Sequence, residues 1–243
     1  MKNKVLARSI SSFFCMVLIL FSFPLSNISA LSEDKENAII LLSQRLDLPV
    51  NEVRERLHFN DNCYLVPLIE LKEHKECLVD IFCNSEESYM KYYLDGKLRS
   101  EERVDSVFYN RALYKMWKRK DVPTSLTFIL DCDDASVGRF GVGPLCDRKQ
   151  IDCEVGYAIK KEYSGKGLTS SGLKALINFL KYISSEKSNT YDFTRLRATA
   201  KIDNAASNKI LSNNGFIKSD ELIDDGYGPE NEYFYYFRSI KSN

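Results

Sequence analysis

The sequence predicts a layered α/β fold of the α+β kind, with a leader and a short helical extension ahead of the main domain. Three observations predict it. Helical and strand periodicities follow one another as two helices and then β-α-α-β-β-β-α-β-α-β-β. Apolar residues make up 44% of the 243, enough for a proper core in one domain with extensions. The strand-like run I-D-C-E-V-G-Y-A-I passes through a glycine-bearing turn into a long amphipathic run, the junction expected of a sheet with helices on its faces.

Lys2, Lys4 and Arg8 open the chain, ahead of S-F-F-C-M-V-L-I-L-F-S-F-P-L and small residues ending at Ala30. Residues 1–30 therefore read as a secretory signal peptide. The apolar run is short of the about 20 residues of a bilayer span, and Pro24 interrupts it. An uncleaved anchor, or a late start in a cytoplasmic protein, is the alternative. The expected location is exported or membrane-associated, with the cytoplasm as the other reading. Membrane contact is expected only through this segment.

Residues 31–61 form the helical extension. Ser32 is placed to cap a helix whose Ile39, Leu42 and Leu46 share a face, and Val50, Val53 and Leu57 mark a second helix. A packing role is expected for this pair, a partner-binding role being the alternative. The main domain, 62–243, opens with a strand from Cys63 and a helix through H-K-E-C-L-V-D-I-F-C. A turn with a half-helix follows, and then an amphipathic helix from Ser100 whose Val104, Val107, Phe108, Tyr114 and Trp117 form an imperfect stripe. Two strands flank D-C-D-D-A, which reads as a hairpin turn rather than a cation loop. After the glycine turn, Leu173, Leu176, Ile177, Leu180 and Ile183 point inward. F-T-R-L-R-A-T-A is a strand, N-A-A-S-N-K-I-L-S-N-N a short helix ended by Gly215, and two strands close the chain.

Net charge is zero, so no nucleic-acid partner is expected. Six of the seven cysteines follow Ala30, an even number that permits disulfides after export, but they read mostly as small buried hydrophobes. No C-x-x-C pair occurs and only His58 and His74 are present, so no metal is expected.

The chemistry centres on K-E-Y-S-G-K-G-L-T-S-S. A P-loop fails, because Lys160 stands where its first glycine belongs and Gly167 where Ser or Thr should bind magnesium. A dinucleotide fingerprint fails at Ser170, which takes the place of its third glycine. What remains is a turn whose bare amides face a pyrophosphate at a helix N-terminus, with Thr169 and Ser170 adding hydroxyls and Lys166 a cation. A plain strand-to-helix turn is the competing reading.

E-V-G-Y-A-I followed by K-E-Y-S-G-K-G-L-T, and D-N-A-A-S-N-K-I-L-S-N-N-G-F after it, resemble the two coenzyme signatures of the GNAT superfamily of acetyl-CoA-dependent N-acetyltransferases. The likeness runs from about Tyr64 to Ile240 and is strongest to the RimJ/RimL ribosomal-protein branch. It implies a GNAT fold, with a central, mixed, mostly antiparallel sheet flanked by helices. It implies that the Glu154 strand splays from its neighbour. Backbone groups of Tyr157, Ala158 and Ile159 would then pair with the pantetheine arm of acetyl-CoA, as though it were an added strand. Amides of Gly165, Lys166, Gly167, Leu168, Thr169 and Ser170 would hold the pyrophosphate, and Asn204 and Ser207 would face the coenzyme. Many members place a tyrosine acid in the second signature, where this chain has Leu211. Glu154 is the expected base, a structural strand-end carboxylate being the alternative. Ser207, Tyr157 or a backbone amide would serve as the donor, and Tyr163 would pack.

The expected activity is acetyl transfer from acetyl-CoA to an amine: a protein N-terminus, a lysine or a small amine. The alternative is an inactive coenzyme-binding or protein-interaction module. The acidic segment 224–232 reads as a solvated loop or as a lure for a cationic acceptor.

Overall fold

The computed structural model describes residues 31–93, 96–118, 125–143, 153–187, 191, 195–224 and 232–240. The expected leader, the loop between strands at 225–231 and Cys146 lie outside them. Among the described residues no helix is long and apolar enough to cross a membrane.

Helices α1 (Glu33–Leu46) and α2 (Val50–Leu57) form where the periodicity places them. Glu33, Asp34 and Glu36 complement the first turn of α1. Ser32 holds the N-cap position, but its side chain makes no capping bond. Ile39, Leu42, Val53 and Leu57 are fully buried in the same core as the sheet, so both helices pack on the main domain. Arg54 of α2 pairs with Glu36 of α1, and the Arg56 guanidinium lies 3.9 Å over the Tyr182 ring.

Eight strands make one sheet: β1 (His58–Phe59), β2 (Cys63–Pro67), β3 (Leu126–Cys132), β4 (Ala135–Gly143), β5 (Cys153–Ile159), β6 (Arg195–Lys201), β7 (Ile217–Asp224) and β8 (Glu232–Ser239). Their spatial order is β1-β2-β3-β4-β5-β6-β8-β7. Every neighbouring pair is antiparallel except β5–β6, which is the mixed, mostly antiparallel sheet expected. The long helix α7 (Leu168–Glu186) buries Leu173, Leu176, Ile177, Leu180 and Ile183, and Phe179 meets Phe128 of β3 edge-on at 6.0 Å. Helix α3 (Lys72–Phe82) packs on β4 on the opposite face. A short helix, α4 (Glu87–Met90), follows it.

The next helix departs from a simple stripe for a physical reason. Its α-helical start, α5 (Glu101–Arg103), passes into π-helical Val104–Asn110, α6 (Arg111–Leu113) and π-helical Tyr114–Lys118. Ser100 caps it, accepting from the Arg103 N–H. Each π stretch advances the phase of the buried face, so the buried residues are Val104, Tyr109, Ala112, Leu113 and Met116. A strict 3.6-residue reading cannot follow that path.

The D-C-D-D-A segment is a hairpin turn. Asp133 and Asp134 sit at φ 50° and 63°, as a two-residue turn with both positions left-handed requires. Asp131 instead faces inward, 2.9 Å from the ammonium of Lys35, which also reaches Glu73 at 3.1 Å. This buried ion pair ties α1 to β3 and α3. The cysteine reading needs one correction. Cys77 and Cys153 are buried thiols, as expected, but Cys63 and Cys132 are register partners on β2 and β3 and form a disulfide.

His74 on α3 is fully buried. Its Nδ1 accepts from the Ile69 N–H at 3.4 Å. Burial pushes its pKa below the ordinary 6.5, against the opposing pull of Asp131 and Glu73. Unfolding therefore takes up a proton below pH 6.5, and the stability held by neutral His74 is lost as the pH falls. One such group steepens the loss by at most about 1.4 kcal/mol per pH unit. Urea unfolding between about pH 7.5 and about pH 5.5 should show that slope, and His74→Leu should flatten it.

Candidate active site

Strand β5 is paired unevenly. It runs antiparallel to β4 from Glu154 to Ile159. Its parallel pairing with β6 stops after Cys153↔Leu196 and Glu154↔Arg197. Beyond Glu154 the two strands part, which is the expected splay. The Lys160 N–H donates to the Val137 carbonyl at 2.8 Å. Backbone direction alternates along an antiparallel pair, so Ala158 also turns to β4, whereas Tyr157 and Ile159 turn to the open side. Of the expected trio Tyr157, Ala158 and Ile159, the first and third turn backbone groups to the open side, and those of Ala158 are occupied by β4.

The turn after β5 contains a 3-10 stretch, Lys161–Tyr163, and then Gly165 and Gly167 at φ 76° and 78°. Gly167 is the N-cap of α7 and lends no side chain to the helix end. The first helical bond there runs from the Ser171 N–H to the Gly167 carbonyl at 3.1 Å. The amides of Leu168, Thr169 and Ser170 precede that bond and have no helical acceptor. Gly165 and Thr169 line the cavity described below, while Lys166, Gly167, Leu168 and Ser170 do not. The Lys166 ammonium lies 4.7 Å over the Tyr163 ring, and Tyr163 packs on the core, as expected. The Ser170 hydroxyl accepts from Asn214 Nδ2 at 2.9 Å, which docks the next helix onto α7.

That helix, α8 (Ala205–Asn213), carries the second signature. Asn204 caps it, its Oδ1 accepting from the Ser207 N–H at 3.0 Å. The Ser207 hydroxyl meets the Tyr157 hydroxyl at 2.8 Å. Burial pushes the Tyr157 pKa up to about 12, with the Ser207 bond opposing and Tyr236 adding. Leu211 is fully buried, so the position where relatives place a tyrosine faces the core. Tyrosine hydroxyls reach α8 from the sheet instead: Tyr157 of β5 at Ser207, and Tyr236 of β8, which donates to Asn208 Oδ1 at 2.8 Å. Glu154 stands where the splay begins, its Oε2 accepting from Arg197 Nη2 at 2.9 Å.

One cavity of about 960 Å³ joins these parts. It takes in Glu154, Tyr157, Ala158, Ile159, Gly165, Thr169, Asn204 and Ser207. Its other wall holds Phe108, which the sequence placed on the stripe after Ser100, and residues that periodicity did not single out, among them Tyr89, Tyr92, Arg99 and Arg103. The Tyr89 hydroxyl donates to the Ile159 carbonyl at 2.8 Å and lies 2.8 Å from the Ser164 hydroxyl. Tyr92 donates to the Asp203 carbonyl at 3.2 Å, and Lys91 lies 3.7 Å from the Asp203 carboxylate. The α4 segment therefore bridges the open side of the splay, from the end of β5 to the start of α8. The only trace of this in the sequence is the tyrosine cluster Y-M-K-Y-Y. Tyr89→Phe should raise the acetyl-CoA KM by about tenfold, the scale of a lost buried hydrogen bond. The amine KM should stay nearly constant, and steady-state kinetics with each substrate varied in turn separates the two.

Among the described residues no group of His, Cys, Asp or Glu is placed to hold a metal ion. A strand splayed from its parallel neighbour, opening on an uncapped helix N-terminus, is the arrangement that the resemblance to the acetyltransferases implied. The acetyltransferase (GNAT) domain model matches residues 65–217. The chain belongs to the GNAT family, the acetyl-CoA-dependent N-acetyltransferases. No curated protein matches the sequence. Among solved structures, RimL, a ribosomal L7/L12 alpha-N-protein acetyltransferase in complex with coenzyme A, is 15% identical with a TM-score of 0.59, over 76% of this chain and 97% of that one. RimJ of Mycobacterium smegmatis, in complex with CoA-disulfide, is 16% identical with a TM-score of 0.55, over 73% and 81%. A Salmonella typhimurium acetyltransferase that modifies the N-terminal serine of the same ribosomal protein is 18% identical with a TM-score of 0.58, over 76% and 99%. These likenesses concern the fold.

Proposed function

We propose that this chain moves the acetyl group of acetyl-CoA to a primary amine by direct attack. The observation that carries the reading is the continuous cavity from the uncapped end of α7, along the open edge of β5, to Glu154. A diphosphate suits the first part, because unpaired amides and the helix end favour an anion. A chain of amides suits the second, because Tyr157 and Ile159 turn their backbone groups outward as an edge strand does. The Ile159 carbonyl already accepts from Tyr89 with one lone pair, so pantetheine uses the other while Tyr89 holds the strand end in place.

In the reaction the amine nitrogen bonds to the thioester carbonyl carbon and the carbon–sulfur bond breaks. The amine loses a proton and the departing thiolate gains one. Glu154 is the base in this reading, directly or through a water. Tyr157 stays protonated far above neutral pH, so it acts as a hydrogen-bond donor to the developing negative charge rather than as a strong acid. Ser207 fixes the direction of that hydroxyl. Tyr157→Phe should lower kcat by about 10-fold to 100-fold with coenzyme affinity nearly unchanged. The wild-type kcat should show no loss from Tyr157 ionisation in the usual assay range. The acceptor classes that fit are a protein N-terminus, a lysine side chain and a small amine.

Calorimetry with CoA and acetyl-CoA, followed by thiol release with a panel of amines, tests the proposal. Heat with both, and release that depends on an amine, is the expected result. Heat without release for any amine would leave a coenzyme-binding module, and no heat would remove the coenzyme reading altogether.

A further inference from the structure

The cavity extends past the parts assigned to the coenzyme, and the charge of that remainder has a sign. Tyr93, Arg99, Arg103, Val107 and Phe108 line it, on the side of α4 and the π-containing helix. Arg103 is exposed at its rim. Glu101 and Glu102, its neighbours in the first helical turn, do not line the cavity. Behind this wall lies Arg139 of β4. Its Nη1 donates to the Tyr93 hydroxyl at 3.2 Å and its guanidinium lies 5.9 Å from the centre of the Phe108 ring. The Nε of Arg139 is buried with no hydrogen-bond partner. Among the described residues neither Arg103 nor Arg139 has a carboxylate within ion-pair distance. Glu154, on the opposite strand, is the one carboxylate among the described residues of the cavity wall, and Arg197 already meets it.

We propose that the acceptor is an amine that also carries a carboxylate, bound with its anionic end against Arg103 and the Arg139-backed aromatic wall. This rests on the acetyl-transfer reading above and names its substrate class. The guanidinium charges of Arg103 and Arg139 repel a polycation and lower the free energy of a carboxylate that can accept from Arg103. Tyr93, Val107 and Phe108 give the same end of the cavity an apolar lining, so the carbon frame between amine and anion is held by contact with rings. Amino acids and short peptides with an acidic side chain fit this description. Polyamines do not. The charge selected is opposite to the one that the acidic 224–232 segment would draw.

The full-length protein saturated with CoA is titrated by calorimetry with matched pairs: phenylalanine against phenethylamine, and the C-terminally amidated peptides Ser-Glu-Ala against Ser-Lys-Ala. The carboxylate-bearing member of each pair should bind at least about tenfold more tightly, the scale of one charge-assisted hydrogen bond. Arg103→Ala should shrink that ratio to about threefold or less, and Arg103→Glu should reverse it, with the heat of CoA binding retained in both. Equal or reversed preference in the wild type overturns the proposal. So does an Arg103→Ala variant that loses CoA affinity as strongly as acceptor affinity, since the arginine would then serve a coenzyme phosphate. Absence of heat with CoA alone is a separate outcome that removes the acetyl-transfer reading, and this proposal with it.

Discussion

Replacing Glu154 with glutamine is expected to lower kcat for amine acetylation by about 10²-fold to 10⁴-fold, the usual contribution of a positioned base. Affinity for acetyl-CoA should stay within about threefold of wild type, because no coenzyme contact is removed. Glutamine keeps the shape of the side chain and an oxygen for Arg197 Nη2, now 2.9 Å from Oε2, so the start of β5 should remain tied to β6. What glutamine cannot do is take the proton that the acceptor nitrogen must lose. The comparison therefore divides two roles that share one carboxylate. Single-turnover rates with and without amine give the measurement. A variant that acetylates at nearly the wild-type rate would make Glu154 a strand-end tie to Arg197, and the base would have to be sought elsewhere on the cavity wall.

Valine at Gly165 and Gly167 together is expected to weaken CoA binding by at least about 100-fold, or roughly 2.7 kcal/mol. Both glycines are at φ near +77°, with values of 76° and 78°, a region that costs an L-residue about 1–2 kcal/mol. A β-carbon built at either position meets no protein atom within 4 Å. The side chains would thus stand in the open space over the amides, where a diphosphate would lie. The strain should appear as a stability loss of about 2–4 kcal/mol for the pair, and the steric block as a separate loss of binding by the protein that remains folded. Calorimetry with CoA, set against thermal unfolding of the same variants, separates the two terms. If the double variant binds CoA as tightly as the wild type, the turn is an ordinary strand-to-helix junction.

Much of the fold was legible because local patterns agreed with the tertiary result. The inward set Leu173, Leu176, Ile177, Leu180 and Ile183 is buried as its spacing required. Gly215 is at φ 72° just beyond α8, as a helix end favours. The hairpin turn at Asp133 and Asp134 and the turn at Gly165 and Gly167 were likewise visible in residue type alone. The stripe read after Ser100 named the helix but not its buried face: of its residues only Val104 is buried and Tyr114 is exposed, because π stretches move the buried face in a way that no fixed period describes. Tyr89 was missed because its partners, Ile159 and Ser164, lie some 70 residues on. The cysteines were read by residue type, but Cys63 and Cys132 pair because the β2–β3 register sets them opposite each other.

The sequence by itself determined the order of elements, the apolar faces, the two glycines that permit a left-handed turn and the absence of a tyrosine at Leu211. Those are properties of a residue and its near neighbours, decided by sterics and periodicity. Tertiary structure alone decided that Ala158 turns to β4, that Ser170 anchors Asn214 and that Tyr157 meets Ser207. Each of these depends on register between segments far apart in the chain, and a shift of one residue in a strand reverses the direction of every side chain on it.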